Sequence, residues 1–330
     1  MPVDELMFDG GNWIGRAGAI SPSGPSPYTG PLLGHAIVLS DLGAHPSYAY
    51  YNPNGQTKAQ YVSRLLGAYG NSAIGKAFPN TIVSTWRADY QQLNNTKAII
   101  CMSWANGAIA AGTHDAALTS FAASIPAGVT AMVCMNEVDN HAGATPAYVA
   151  DMDHLYDLAQ TLNATNPGKL EVWDCFMQYS LQAASGPAYN DSWTNPAKRH
   201  GIIWDLYWNQ YTLDASGNTF VGSIEAVHNR LGIPWGLGET GDRRPGTTAE
   251  SGNNPAPSDA ARAARLTTHM NRLFNANPAP KFICYFDYVG STGDHRILTE
   301  NIDPSLSVPG PDTLTYNVLK GYFDAMNGGM

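Results

Sequence analysis

The chain has 330 residues, of which 44% are hydrophobic, 10% aromatic and only 14% charged, with a net charge of −9. Ordinary apolar content and the lack of a long charge run exclude extended disorder, and no stretch approaches the roughly 18 apolar residues that a bilayer span needs. A pI near 5.4 without a Lys/Arg cluster lacks the electrostatic footprint of a nucleic-acid binder, so a neutral partner fits better.

The N-terminus, MPVDELMFDGGNWIG, has neither a basic n-region nor an apolar h-region, so no signal peptide is expected there. Residues 10–34 are dense in Gly, Pro and Ser and read as a loop laid over a domain or a linker. The expected division is an N-terminal segment, 1–34, packed on a single domain, 35–330. At about 150 residues per domain the length would suggest two, but closed barrels reach about 250 residues as one.

Beyond residue 34, short apolar runs alternate with longer helical patterns. The runs are HAIVLSDLG (35–43), TIVSTW (81–86), AIICMSW (98–104), TAMVCMNE (130–137), LEVWDCFM (170–177), IIWDLYWNQY (202–211), IPWGLGE (233–239) and KFICYFDY (281–288). They are rich in β-branched and aromatic residues and mostly continuous, as strands buried on both faces should be. Apolar residues near i, i+3, i+4 and i+7 mark helices over 57–70, 114–125, 146–164, 222–232, 258–276 and 314–326, several preceded by Asp or Ser caps. Strands alternating with helices point to an α/β fold, a (β/α)8 barrel. Only residues 87–96 separate the second and third runs, which is short for a helical crossover. A doubly wound sheet is the alternative, but no glycine fingerprint follows the first run.

Cys101, Cys134, Cys175 and Cys284 lie far apart, each inside an apolar run. No CxxC or Cys/His cluster suggests zinc. Buried reduced thiols are expected, as are core roles for Met132, Met135 and Met177.

In a parallel barrel the site lies at the C-terminal ends of the strands. Two glutamates, Glu137 and Glu239, end the fourth and seventh runs, each after residues that would carry no charge without a reason. An ionised carboxylate is costly to bury unless paired, so both are candidates for chemistry rather than mere strand exits. Strands 4 and 7 lie nearly opposite each other in an eight-stranded barrel, which lets the two side chains converge as glycosidic cleavage requires.

In these residues the chain resembles the large clan A type of retaining (β/α)8 glycoside hydrolases, with its cellulase-, mannanase- and xylanase-like families. That clan is known for an Asn-Glu pair ending strand 4 and a Glu ending strand 7. The resemblance implies Glu137 as general acid/base, Asn136 beside it at the sugar 2-hydroxyl, Glu239 as nucleophile, and Tyr211 as the tyrosine that hydrogen-bonds the nucleophile. Strand 8 ends in Tyr285-Phe286-Asp287-Tyr288, where many members have Trp, and Arg87 is the candidate for an Arg that several families carry early in the barrel.

Aromatic faces stack on sugar rings, so Trp86, Trp104 and Trp208, on or beside strand ends, are candidates for substrate binding, while Trp173 and Trp235 read as core. His141, Asp287 and Arg243 are further candidates at loop positions. Asp242, Arg243 and Arg244 open a polar loop, 240–258, that reads either as solvated surface or as one wall of a cleft. The implied activity is polysaccharide cleavage by double displacement, endo-acting, on a polysaccharide or oligosaccharide, with no metal and no cofactor. The expected protein is a monomer, secreted or virion-associated, with no nucleic-acid or membrane partner. Two alternatives are a non-catalytic carbohydrate-binding barrel, such as a surface or phage-tail adhesin, and a metal-dependent hydrolase. The second would need His/Asp ligands at several strand ends, and no HxH pair occurs.

Overall fold

The computed structural model describes residues 7–9, 12–14, 28–36, 58–79, 81–141, 144–181, 189–207, 219–242, 256–286, 289–290, 293–294 and 313–329. Eight parallel strands close into a barrel. They are β1 (Leu32–Ala36), β2 (Ile74–Ala77), β3 (Lys97–Met102), β4 (Thr130–Met135), β5 (Lys169–Met177), β6 (Gly201–Tyr207), β7 (Trp235–Gly241) and β8 (Phe282–Tyr285), with β8 pairing back onto β1. Two short antiparallel ribbons, Met7–Asp9 with Asn12–Ile14 and Val289–Gly290 with Gly293–Asp294, stand outside that sheet.

The continuous apolar runs have the expected cause, because every strand is covered on both faces. One cluster fills the barrel and includes Ile74, Ile99, Met132, Trp173, Ile203 and Phe282 together with all four cysteines. A larger cluster lies between the sheet and the helices α1 (Lys58–Tyr69), α2 (Asp115–Ser124), α3 (Pro146–Asn163), α4 (Thr219–Leu231), α5 (Asp259–Phe274) and α6 (Thr313–Gly329). Each helix matches a predicted one within a few residues. The α5 face shows why: Arg262, Leu266, His269, Met270 and Leu273 recur at helical spacing and are buried. Thr145 caps α3 by accepting from the Tyr148 N–H, and Ser258 caps α5 by accepting from that of Ala261. Asp259 then accepts from the Leu314 and Thr315 N–H groups and so caps α6 from a neighbouring helix.

The strand reading needs correction at three places. The first strand begins at Leu32, ahead of the domain boundary placed at residue 35. The second strand is Ile74–Ala77, whereas residues 81–86 form no strand; the short crossover thus disappears, and 78–96 connects β2 to β3 through a 3-10 turn, Ala88–Gln91. β6 is described over Gly201–Tyr207, and the rest of its run, to 211, lies outside the described residues. The eighth strand ends at Tyr285, before the end of its run.

Candidate active site

Strand β4 delivers Glu137. Six residues, TAMVCM, run to Met135, and the chain then turns through Asn136 and Glu137 into a helical turn, Val138–His141. Glu137 has φ +40°, a left-handed conformation uncommon outside glycine that costs about 1–3 kcal/mol and concentrates at functional sites. The turn is tied down from the next strand: both carboxylate oxygens of buried Asp139 accept from the Met177 N–H, at 3.0 and 3.1 Å. Asn136 is half-buried, and its buried side-chain oxygen has no hydrogen-bond partner among the described residues.

Glu239 comes from β7 through an irregularity. Trp204 pairs with Leu237, but the next residue, Asp205, pairs with Glu239, and the β8 side shifts between Ile283 and Tyr285 in the same way. The extra residue is Gly238. A Cβ there would stand 2.4 Å from Ile203 Cγ2, 2.7 Å from Asp205 Oδ1 and 3.2 Å from Lys76 Nζ, so only glycine fits. Such a bulge re-aims the following side chain. The exit of β7 is then pinned by α5: Arg262 donates to the Asp242 carbonyl at 2.6 Å, and Arg265 pairs with the Asp242 carboxylate at 3.3 Å. Asp242 is therefore buried rather than part of a solvated loop.

These two exits bring the carboxylates together. One oxygen each of Glu137, Asp205 and Glu239 lies within 4.8 Å of the others. Asp205, from the middle of β6, is fully buried. Lys76, from β2, places its ammonium 2.6 Å from Asp205 Oδ2 and 2.8 Å from Glu239 Oε1, with no side-chain exposure. The Tyr207 hydroxyl donates to Glu239 Oε2. Burial pushes Lys76 down, but the charges of Asp205 and Glu239 outweigh it and hold the ammonium well above its ordinary value. Burial raises the Tyr207 hydroxyl, and the negative charge of Glu239 raises it further, which keeps it a donor. Three such oxygens would suit a hard cation. Here the Lys76 ammonium already sits on two of them and supplies the positive charge.

Beneath this cluster lie thiols. Cys175 Sγ is 3.6 Å from Asp205 Oδ2, and Cys101 and Cys134, which pair across β3 and β4, have sulfurs 3.6 Å apart. All four cysteines are buried and free, as expected.

The remaining candidates divide. Trp104 is buried in the layer between sheet and helices and donates its indole N–H to Asp151 of α3 at 3.1 Å, so it packs the scaffold. Trp86 is no strand end; it packs on Tyr90 and Phe121 and donates to Gln91 at 3.2 Å. Arg87 pairs with Asp89 at the surface, whereas Lys76 of β2 reaches Asp205 and Glu239. Tyr211, Trp208, Arg243 and Asp287 lie outside the described residues, as does the side chain of His141. The hydroxyl on Glu239 belongs to Tyr207.

Lys76, Asp205 and Tyr207 were not singled out from the sequence. The available signal was charge inside apolar runs, SAIGKAF and IIWDLYW, since Lys and Asp are almost never fully buried unless paired.

No protein-family model matches the sequence, and no curated protein does. Solved structures match in fold. A fungal β-1,4-galactanase superposes with a TM-score of 0.54 at 14% identity, over 87% of this chain and 99% of the other. A modular endo-β-1,4-mannanase of glycoside hydrolase family 26 from Cellulomonas fimi gives 0.51 at 12% identity, over 89% and 70%. A GH128 (subgroup II) endo-β-1,3-glucanase from Sorangium cellulosum gives 0.50 at 14% identity, over 87% and 97%. The chain thus shares the closed parallel barrel of these enzymes, and the likeness is one of fold.

Proposed function

We propose that this protein is a glycoside hydrolase that cleaves a polysaccharide by double displacement, with Glu137 as general acid/base and Glu239 as nucleophile. The observation that carries the reading is that one oxygen of each carboxylate comes within 4.8 Å of the other. Retaining enzymes hold the pair about 5–5.5 Å apart, whereas inverting ones need about 6.5–9.5 Å to admit a water. The fold shared with a galactanase, a mannanase and a glucanase agrees with it.

In the first step Glu137 gives its proton to the glycosidic oxygen while Glu239 attacks the anomeric carbon. The bond to the leaving sugar breaks, and a glycosyl-enzyme forms. Glu137, now ionised, takes a proton from water in the second step. The resulting oxygen attacks the same carbon and releases Glu239, so the configuration is restored. The Tyr207 hydroxyl and the Lys76 ammonium lie on the two oxygens of Glu239 and hold its carboxylate in place for attack.

The test is a panel of β-1,3-glucan, β-1,4-mannan and β-1,4-galactan, with the anomeric form of the first product followed by NMR. Cleavage with retained configuration supports the reading. Inverted product removes the double displacement, and binding of a glycan without cleavage removes the enzyme.

A further inference from the structure

The reaction needs an ionised, oriented Glu239, yet the chain buries two further charges beneath it that neither protonate a leaving group nor attack a sugar. Lys76 and Asp205 come from β2 and β6, which are not neighbours in the barrel, and both side chains have no exposed surface. Buried charges persist only when paired well, so this pair is costly to keep. Its geometry explains what it does. Asp205 is the residue paired with Glu239 across β6 and β7, so the two carboxylates sit side by side on adjacent strands. The ammonium reaches across the barrel and bridges them at 2.6 and 2.8 Å. A lysine stem is flexible, and a single carboxylate partner would leave it free to follow Glu239. Anchored on Asp205, it becomes a fixed charge.

We propose that Lys76 and Asp205 act as one positioning unit: Asp205 anchors the ammonium, and the anchored ammonium fixes the charge and orientation of Glu239 through Oε1 while Tyr207 holds Oε2. The proposal rests on the nucleophile role of Glu239 for its consequence in turnover, but not for its electrostatic content. Among the described residues, the groups facing this carboxylate are Lys76 from β2, Glu137 from beyond β4, and Asp205 and Tyr207 from β6. Below them lie Cys101, Cys134, Cys175 and Cys284 from β3, β4, β5 and β8. Lys76 is the one cation among these groups, so its removal leaves Glu239 beside like charge in a buried place with only the Tyr207 hydroxyl to favour its carboxylate.

The experiment uses the full chain with carboxyl-13C glutamate, the Glu239 resonance being assigned from Glu239→Gln. Lys76→Met should move the Glu239 titration upward by about one unit or more, a tenfold change in proton affinity. Lys76→Arg, which keeps the charge, should leave it within about half a unit of wild type. On the glycan cleaved in the panel above, Lys76→Met should lower kcat about 100-fold with little change in KM, as loss of an aligned attack does. Asp205→Asn should lower it less. The double variant should fall no further than Lys76→Met, because residues acting as a unit are not additive. If Lys76→Met fails to fold, the double variant, which leaves no unpaired charge between the two, carries the titration test. An unmoved Glu239 titration in Lys76→Met, or in the double variant if only that folds, overturns the proposal, as do losses that multiply in the double variant. A moved titration in a protein that cleaves no glycan upholds the electrostatic role and overturns the hydrolase reading instead.

Discussion

Lys76 Nζ lies 2.6 Å from Asp205 Oδ2, and neither side chain has any exposed surface. An ion pair closed off from water is well balanced only while both partners are present. Lys76→Met is therefore expected to destabilise the fold by about 3–5 kcal/mol, because it leaves a buried carboxylate unpaired. The Lys76→Met, Asp205→Asn double variant should recover much of that loss. Urea unfolding of the three proteins measures it, and a double variant less stable than either single one would contradict the pairing. The same pair predicts behaviour in alkali. Lys76 binds its proton more tightly folded than unfolded, so its stabilising contribution is complete below the unfolded value of 10.5 and is lost as pH rises through the higher folded value.

Tyr207 offers Glu239 Oε2 a hydroxyl and packs edge-on against Phe286, with ring centroids 5.6 Å apart. Tyr207→Phe keeps the ring contact and removes only the donor. A hydrogen bond to a charged group contributes about 1.5–3 kcal/mol, so kcat should fall about 10- to 100-fold with little change in thermal midpoint. Steady-state kinetics beside a melting curve separate the two effects. A large drop in midpoint with unchanged kcat would assign Tyr207 to packing.

Gly238 has no room for a methyl group. Gly238→Ala should cost about 1–3 kcal/mol through overpacking and should displace Glu239, lowering turnover. Gly67, in α1, is the control: nothing lies within 4 Å of a Cβ built there, and Gly67→Ala should stabilise by about 0.5–1 kcal/mol. Denaturation curves for both variants test the bulge, and equal effects would argue against a steric requirement.

Three buried histidines set a limit in acid. Burial lowers His35 to about 3 and His228 to about 4, and pushes His269 well below its ordinary value. His228 is locked as the neutral form, accepting the Trp204 indole N–H at 2.9 Å on Nε2 and meeting the Ile233 carbonyl at 2.9 Å through Nδ1. The unfolded chain takes up protons near 6.5 that the folded one refuses. Stability is thus whole above pH 6.5 and declines toward pH 4, by about 1.4 kcal/mol per unit for each group. Urea midpoints at pH 7 and 4.5 check this, with a shallower decline expected for His228→Gln. Equal midpoints would be inconsistent with neutral buried imidazoles.

The two glutamates should separate by leaving group. Glu239→Ala is expected to abolish turnover on every substrate, because no glycosyl-enzyme can form. Glu137→Ala should cripple polysaccharide cleavage but spare the first step on activated aryl glycosides, whose leaving group needs no proton. Azide should then restore turnover by attacking the glycosyl-enzyme, giving a glycosyl azide of retained configuration. Wild-type activity in both variants would place the chemistry elsewhere.

The sequence by itself determined the barrel, because a strand covered on both faces must be apolar along its length and an amphipathic helix must repeat at 3.6 residues. Both patterns are local. Glu137 and Glu239 were legible for the same reason, each being a charge that ends an apolar run. The tertiary structure decided what depends on distant partners. TIVSTW looks more like a strand than SAIGKAF, since Lys76 disqualifies the latter until Asp205, 129 residues away, pairs with it. Tyr207, which the sequence did not single out, donates to Glu239 because strand register, not the apolar run, sets which side chain of β6 meets β7. Trp86 and Trp104 sit near the right height in the sequence, but contacts with Phe121 and Asp151 place them in the helix layer. Which way a side chain faces is settled by strand register, and here one glycine in β7 shifts that register to bring Glu239 opposite Asp205.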